Sequence, residues 1–333
     1  LKNEPEDRIP PSWKHMFIKK ILAAQTQRWH LFARQTLQTW HQFSIWTDTE
    51  SLPTWVKHVR PPWLDTKIYP FRPNYIRLNA GTMHYVDEGE GDVLLMVHGN
   101  ADWSFTYRDL IKRLSKHYRC IAIDQIGFGL SDKPPDWDYR PESHTDNLTE
   151  FIEKLNLKNL TLILNDWGGP IGLAYAIAHP HNIKRQVLID TWMWVTKGDW
   201  FFESFGTLVG GRVGQYIIPE YNAFAKIIIP LYILTNRNKT RSIMQHYYNV
   251  TETPIERKGQ WVFGGSLIGS SAWIDRQFTQ LDKIEHLPTL IIWGMQNLGL
   301  IRQEYNRWYH LLPNSTLLKI PEAGWYPHLD TPD

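Results

Sequence analysis

The chain has 333 residues, of which 42% are hydrophobic, and a formal charge of +2. That length fits one large α/β domain with an inserted lobe, the apolar share excludes global disorder, and so small a charge is not the footprint of a polyanion partner. The lone cysteine, Cys120, excludes an internal disulfide and a cysteine-based metal site and favours a reducing, cytoplasmic setting.

Residues 8–47 contain no Asp or Glu but carry Arg8, Lys14, Lys19, Lys20, Arg28 and Arg34. Phe17, Ile21, Trp29, Phe32, Trp40 and Phe43 recur at spacings near three to four, which predicts one or two basic amphipathic helices. Three roles fit such a segment: contact with an anionic membrane surface, a targeting sequence, or packing on the rest of the protein. Met16 is a candidate start. Pro53, Pro61, Pro62, Pro70 and Pro73 then mark a stiff connector, so that residues 1–63 read as an extension. No apolar stretch approaches the length of a membrane span.

From Tyr75 the pattern becomes regular. Tyr75–Asn79 and Thr82–Glu88 flank Ala80-Gly81 and predict an antiparallel hairpin. Apolar runs follow at Val93–Val97, Arg119–Ile123, Leu160–Leu164, Gln186–Ile189, Leu290–Trp293 and Thr316–Ile320. Helical stretches between most of them give the alternation of an α/β fold, a mostly parallel sheet flanked by helices. The alternation breaks after Asp190, and residues 192–280 read as a mainly helical lid inserted between two strands. The core is then 64–191 together with 281–333.

Asn165-Asp166-Trp167-Gly168-Gly169 joins the run ending at Leu164 to a helix-like stretch from Pro170 to His179. Strand, glycine-bearing turn and helix make a nucleophile elbow, which lifts one side chain to the carboxyl end of a sheet beside backbone N–H groups. Ser is the usual residue at that apex. An Asp there is a carboxylate nucleophile, suited to alkyl rather than acyl chemistry; helix capping is the plainer role. Upstream, Val97-His98-Gly99-Asn100 follows the first buried strand, where the loop supplies one oxyanion-hole N–H and the residue after the nucleophile the other. Asn100 and Trp167 fill those places, and His98 is expected to brace the loop through a backbone hydrogen bond. The amide and indole side chains of Asn100 and Trp167 are uncharged donors that suit a weakly hydrated leaving anion without neutralising Asp166. Four of the seventeen tryptophans, Trp103, Trp167, Trp192 and Trp194, stand where a pocket wall needs large rigid side chains. No metal-ligand spacing links the histidines, and no cofactor is expected.

The chain resembles the haloalkane dehalogenases of the α/β-hydrolase superfamily, from about Leu64 to the end. The resemblance rests on His98-Gly99-Asn100-Ala101-Asp102-Trp103-Ser104-Phe105, on Asp124-Gln125-Ile126-Gly127-Phe128-Gly129-Leu130-Ser131-Asp132-Lys133-Pro134, and on Asn165–Gly169. It continues in Asp190-Thr191-Trp192-Met193-Trp194 and Ile292-Trp293-Gly294-Met295. It implies a small hydrophobic substrate such as an alkyl halide, no nucleic acid, and two steps. Asp166 displaces halide to form an alkyl–enzyme ester while Asn100 and Trp167 hold the halide; a His, oriented by an acid, then activates water. Three departures stand out. The family's His falls on Trp325, its usual acid on Asn297, and the residue before the nucleophile, often His, is Asn165, with Ala101-Asp102 where Pro is expected after Asn100. Some members carry the acid where this chain has Asp190. His328, three residues beyond Trp325, is a substitute base if both lie on one helical turn. Relatives continue past the place of Asp333 with a closing helix, so the chain reads as a fragment. Two alternatives stay open: an epoxide hydrolase using lid tyrosines among Tyr216, Tyr221, Tyr232, Tyr247 and Tyr248, and a non-catalytic binding protein on the same scaffold.

Overall fold

A computed structural model describes residues 60–196, 198, 200–232, 237–296 and 304–332. The basic segment at 8–47 and Asn297 lie outside the described residues. The described chain carries a sheet of β1 (Asn74–Arg77), β2 (Thr82–Glu88), β3 (Val93–Val97), β4 (Arg119–Ile123), β5 (Leu160–Asn165), β6 (Ile183–Ile189), β7 (Thr289–Gly294) and β8 (Ser315–Ile320). Their order is β1-β2-β4-β3-β5-β6-β7-β8. β1 and β2 form the predicted hairpin, pairing Arg77 with Thr82, and β2 runs antiparallel to β4. Every later pairing is parallel. The apolar runs locate the central strands because all six residues of β5 are buried, as a strand covered by helices on both faces requires. β6 starts three residues before its apolar run: Lys184 and Arg185 are exposed and interrupt the hydrophobic signal without ending the ladder.

Helices α1 (Arg108–Leu114), α2 (Pro141–Lys154) and α3 (Gly168–Ala178) cross between strands. α3 is buried along nearly its whole length, and its first glycine shows why: a Cβ on Gly168 would stand 2.0 Å from the Val97 carbonyl oxygen. Between β6 and β7 lies the inserted lid, or cap. It contains α4 (Trp200–Gly210), α5 (Arg212–Tyr221), a π-helical stretch Phe224–Ile228 continuing into α6 (Ile229–Tyr232), α7 (Arg237–Asn249), α8 (Lys258–Gly269) and α9 (Ser271–Phe278). α10 (Glu304–Leu311) and the short α11 (Pro327–Asp330) complete the described α-helices. No described helix is long and apolar enough to cross a membrane.

Candidate active site

β5 ends at Asn165 and α3 begins at Gly168, so the chain reverses over two residues, and Asp166 adopts φ 50°. This left-handed conformation is costly for a residue with a Cβ and least so for Asn and Asp. The bend is fixed from three sides. The Thr191 hydroxyl donates to the Asp166 carbonyl at 2.6 Å, and the Asn165 amide donates to the Ile189 carbonyl at 2.9 Å. On the third side Gly99 lets the carboxylate in, since a Cβ there would lie 2.2 Å from Asp166 Oδ1.

The carboxylate sits among hydrogen-bond donors. The Asn100 backbone N–H donates to Oδ1 at 2.7 Å. The backbone N–H of Trp167 and the indole N–H of Trp325 donate as well. Burial nevertheless dominates and lifts the carboxyl from its ordinary 3.8 to about 6, while the three donors pull it back towards the ionised form. The group is therefore ionised at neutral pH but stripped of water, the condition of a reactive carboxylate. Its surroundings are apolar: Trp167, Trp192, Phe205, Phe224, Ile228 and Trp325 are among the walls of a cavity of about 60 Å³.

The loop after β3 is held rigidly. His98 donates from Nδ1 to the Gly99 carbonyl at 2.8 Å, and its Nε2 accepts the Gln125 N–H at 3.0 Å. Both ring nitrogens are thus committed in one neutral tautomer, and burial lowers the imidazole to about 4. The bracing expected of His98 is present in these bonds. Ala101 has φ 57°, which proline, fixed near φ −65°, cannot adopt. Next in the loop, Asp102 is buried; its Oδ1 accepts the Trp103 N–H and the Tyr247 hydroxyl, each at 2.9 Å. Burial pushes its carboxyl up to about 7. Asn100 lines the cavity, but one N–H of its amide is engaged by the cap, donating to the Gln260 carbonyl at 3.1 Å.

Several expected positions are redistributed. Asp190 is fully buried after β6 at φ 38°, and its Oδ2 accepts the Gly294 N–H at 3.1 Å; it is not on the cavity wall. His328 is not beside Asp166. α11 starts only at Pro327, and Tyr326 before it is non-helical (φ −118°, ψ 66°), so Trp325 and His328 share no helical face. Trp325 reaches the cavity, whereas His328 Nε2 pairs with Thr106 Oγ1 at 2.9 Å and its ring stacks on Tyr107 at 5.1 Å. Burial lowers His328 to about 3, further removing it from base chemistry. Of the four tryptophans expected in the pocket wall, Trp167 and Trp192 line it. Trp103 is instead stacked on Phe105 and Trp194 packed on Trp308, both in the core. Among the lid tyrosines, Tyr216 and Tyr221 are exposed, Tyr247 is bonded to Asp102, and Tyr248 is absent from the wall; the side chain of Tyr232 lies outside the described residues. One donor escaped the sequence reading. Trp192 has a buried indole N–H with no hydrogen-bond partner among the described residues, and its ring meets Trp167 edge-on at 5.2 Å. Only its place in the Asp190–Trp194 run, next to the elbow's partner strand, signalled it.

Residues 92–332 match the α/β-hydrolase fold family. Haloalkane dehalogenase 2 of Mycobacterium tuberculosis is 31% identical over 271 residues, 81% of this chain and 94% of that protein. A cis-3-alkyl-4-alkyloxetan-2-one decarboxylase of Shewanella oneidensis is 32% identical over 299 residues, covering 81% and 87%. Among solved structures, haloalkane dehalogenase DatA of Agrobacterium tumefaciens superposes with a TM-score of 0.70 at 21% identity, covering 81% of this chain and 95% of that one. The eight-stranded sheet with its elbow and inserted cap, and these matches over most of the chain, make it a member of the α/β-hydrolase fold family, of the haloalkane dehalogenase-like kind.

Proposed function

We propose that the chain is a hydrolase-family enzyme in which Asp166 attacks a saturated carbon and the elbow and loop donors receive the leaving anion. With an alkyl halide, an Asp166 oxygen forms a bond to carbon, the carbon–halogen bond breaks, and halide departs with the bonding pair. Asn100, Trp167 and Trp192 are the uncharged donors for that anion. The observation that carries this reading is the desolvated Asp166 carboxylate, held by the Asn100 N–H at 2.7 Å and facing an apolar cavity. Water attack on the resulting ester needs a proton acceptor. Trp325 supplies the opposite, a donor directed at the nucleophile, because an indole has no basic lone pair. The expected behaviour with a 1-haloalkane is one halide per protein and a mass gain equal to the alkyl group. Trp325→His should convert that burst into turnover, with Asp190 as the acid that orients the new imidazole. Sustained halide release by the unaltered protein, or no mass gain, would overturn this reading.

Trp325 favours a second substrate for the same nucleophile. The Shewanella relative acts, by its name, on a dialkyl oxetanone. If Asp166 opened such a ring at the carbon bearing the ring oxygen, the product would be an Asp166 ester with a carboxylate on the neighbouring carbon. Loss of carbon dioxide from that carboxylate forms the alkene and expels Asp166 as carboxylate, so the cycle closes without water or base. Mixing the protein with a cis-3,4-dialkyl oxetanone and following alkene and carbon dioxide distinguishes the two. Multiple turnovers here, with a single turnover on haloalkane, would assign the site to lactone cleavage. The epoxide reading is the less favoured one, because none of Tyr216, Tyr221, Tyr247 and Tyr248 is on the cavity wall, where Tyr326 is the tyrosine among the described residues.

A further inference from the structure

The cap is apolar on its outside as well as on its inside. Leu208, Val213, Tyr216, Ile217 and Tyr221 are all exposed, at 41–60% of their surface. They are contiguous: Leu208 and Val213 share an open groove with Glu203, Thr207 and Arg212, and the rings of Tyr216 and Tyr221 stand 6.1 Å apart. On α5 the spacing is that of one helical face, since Val213, Tyr216, Ile217 and Tyr221 follow i, i+3, i+4, i+8, while Gly214 and Ile218 are buried on the other side. A helix that packs with one apolar face and still shows water another is the mark of an interaction surface.

The charges on that surface select its partner. Among the described side chains from Phe202 to Ile227, Glu203 and Glu220 stand against Arg212 and Lys226, two of each sign. A balanced surface has no field to draw an anionic membrane or a strongly charged protein. It does match itself. The exposed side of α5 carries two ridges of i, i+4, i+8 spacing, Arg212–Tyr216–Glu220 and Val213–Ile217–Tyr221. Arg212 and Glu220 are both exposed, and each lies four residues from Tyr216, ~6 Å along the axis on either side of it. Two copies of α5 crossing antiparallel at Tyr216, about a two-fold axis perpendicular to the helices, set Arg212 of each copy against Glu220 of the other. The same crossing lets the ridges of one copy pack into the grooves of the other. A parallel crossing would set Arg212 on Arg212 and Glu220 on Glu220. The face also bears on the site, because α4 carries Leu208 on the outside and Phe205 on the cavity wall.

We propose that the outer face of the cap, centred on Tyr216 of α5, is the interface of a two-fold dimer in which Arg212 of each copy pairs with Glu220 of the other across the apolar ridges. The experiment is sedimentation velocity of the full chain from ~1 to ~100 µM, beside the single variants Arg212→Glu and Glu220→Arg. Both positions are exposed, so folding is not at stake, and far-ultraviolet circular dichroism checks it. The unaltered chain should dimerise over this range. Each single variant places like charges at both ends of the crossing, and its dissociation constant should rise about tenfold or more. The deciding sample is an equal mixture of the two variants, because a mixed pair again sets acid against base at both ends. That mixture should dimerise about as well as the unaltered chain. A chain that stays monomeric at ~100 µM would overturn the proposal, and so would a dimer indifferent to both single variants. Folded variants that weaken the dimer but are not restored by mixing would overturn the antiparallel pairing. Hydrogen exchange gives an independent reading. Exchange across 208–221 should quicken as the unaltered chain is diluted through its dimer–monomer transition, and unchanged exchange there would place the contact elsewhere and refute the proposal.

Discussion

Replacing Asp166 by Asn should abolish alkylation and stabilise the protein, and the stabilisation should depend on pH in a set direction. Burial lifts the Asp166 carboxyl from 3.8 to about 6. That rise corresponds to roughly 3 kcal/mol by which folding is penalised once the group must ionise. The sign is the reverse of that for a salt-bridged carboxylate. Below about 3.8 the carboxyl is protonated in both folded and unfolded chains and carries no penalty. Between there and about 6 the unfolded chain ionises first, and the penalty grows; above 6 it is complete. The amide of the Asp166→Asn variant escapes it throughout. Urea unfolding of both proteins at about pH 8 and about pH 4.5 should therefore show the variant's advantage larger by ~2 kcal/mol at the higher pH. Subtracting one pH from the other cancels the fixed difference between an amide and a carboxyl. An advantage that is constant with pH, or larger in acid, would refute a desolvated nucleophile. The same titration predicts that the alkylation rate of the unaltered protein falls as the pH drops through about 6.

Tyr247→Phe removes one of two donors from Asp102 Oδ1 and should cost ~2 kcal/mol above about pH 7, where that carboxyl is ionised, and less below it; urea unfolding at two pH values checks this. Gly99→Ala places a methyl group on the Asp166 carboxylate and should lower single-turnover alkylation at least ~100-fold, with the far-ultraviolet circular dichroism unchanged. Trp192→Phe keeps a ring against Trp167 but loses the unpartnered N–H. It should slow haloalkane alkylation ~10-fold, measured as the rate of mass gain. An unchanged rate would remove Trp192 from the donors for the leaving anion.

The elbow was legible because its parts are all local: an apolar run, an Asp that tolerates φ 50°, and glycines where the backbone meets Val97 and Thr191. The sheet was legible for a related reason, since buried parallel strands write continuous apolar stretches, and only a strand such as β6, with exposed Lys184 and Arg185, loses its boundary. What lies at 325–328 was not legible. Three residues of spacing describe one helical face only if a helix spans them, and Pro327, well suited to the first turn of α11, begins the helix two residues too late. Nor does a sequence say which tryptophans reach a cavity. Trp103 and Trp192 both stand in loops just beyond strand ends, after β3 and β6, and only the three-dimensional packing sends one to the core and the other to the wall. The cap tyrosines illustrate the same limit, because Tyr247 and Tyr248 are neighbours in sequence and only Tyr247 meets Asp102.

Two hydrogen bonds couple the loop after β3 to the cap, Asn100 to Gln260 and Tyr247 to Asp102, and the first of them is made by the residue whose N–H grips Asp166. That first bond stands beside the cavity of about 60 Å³ that Asp166 faces. A shift of the cap would break both, while the bonds of His98 to Gly99 and Gln125 keep the loop itself in place. The cap is thereby wired to the Asn100 side chain, while the backbone N–H beside it that grips Asp166 answers to the core alone.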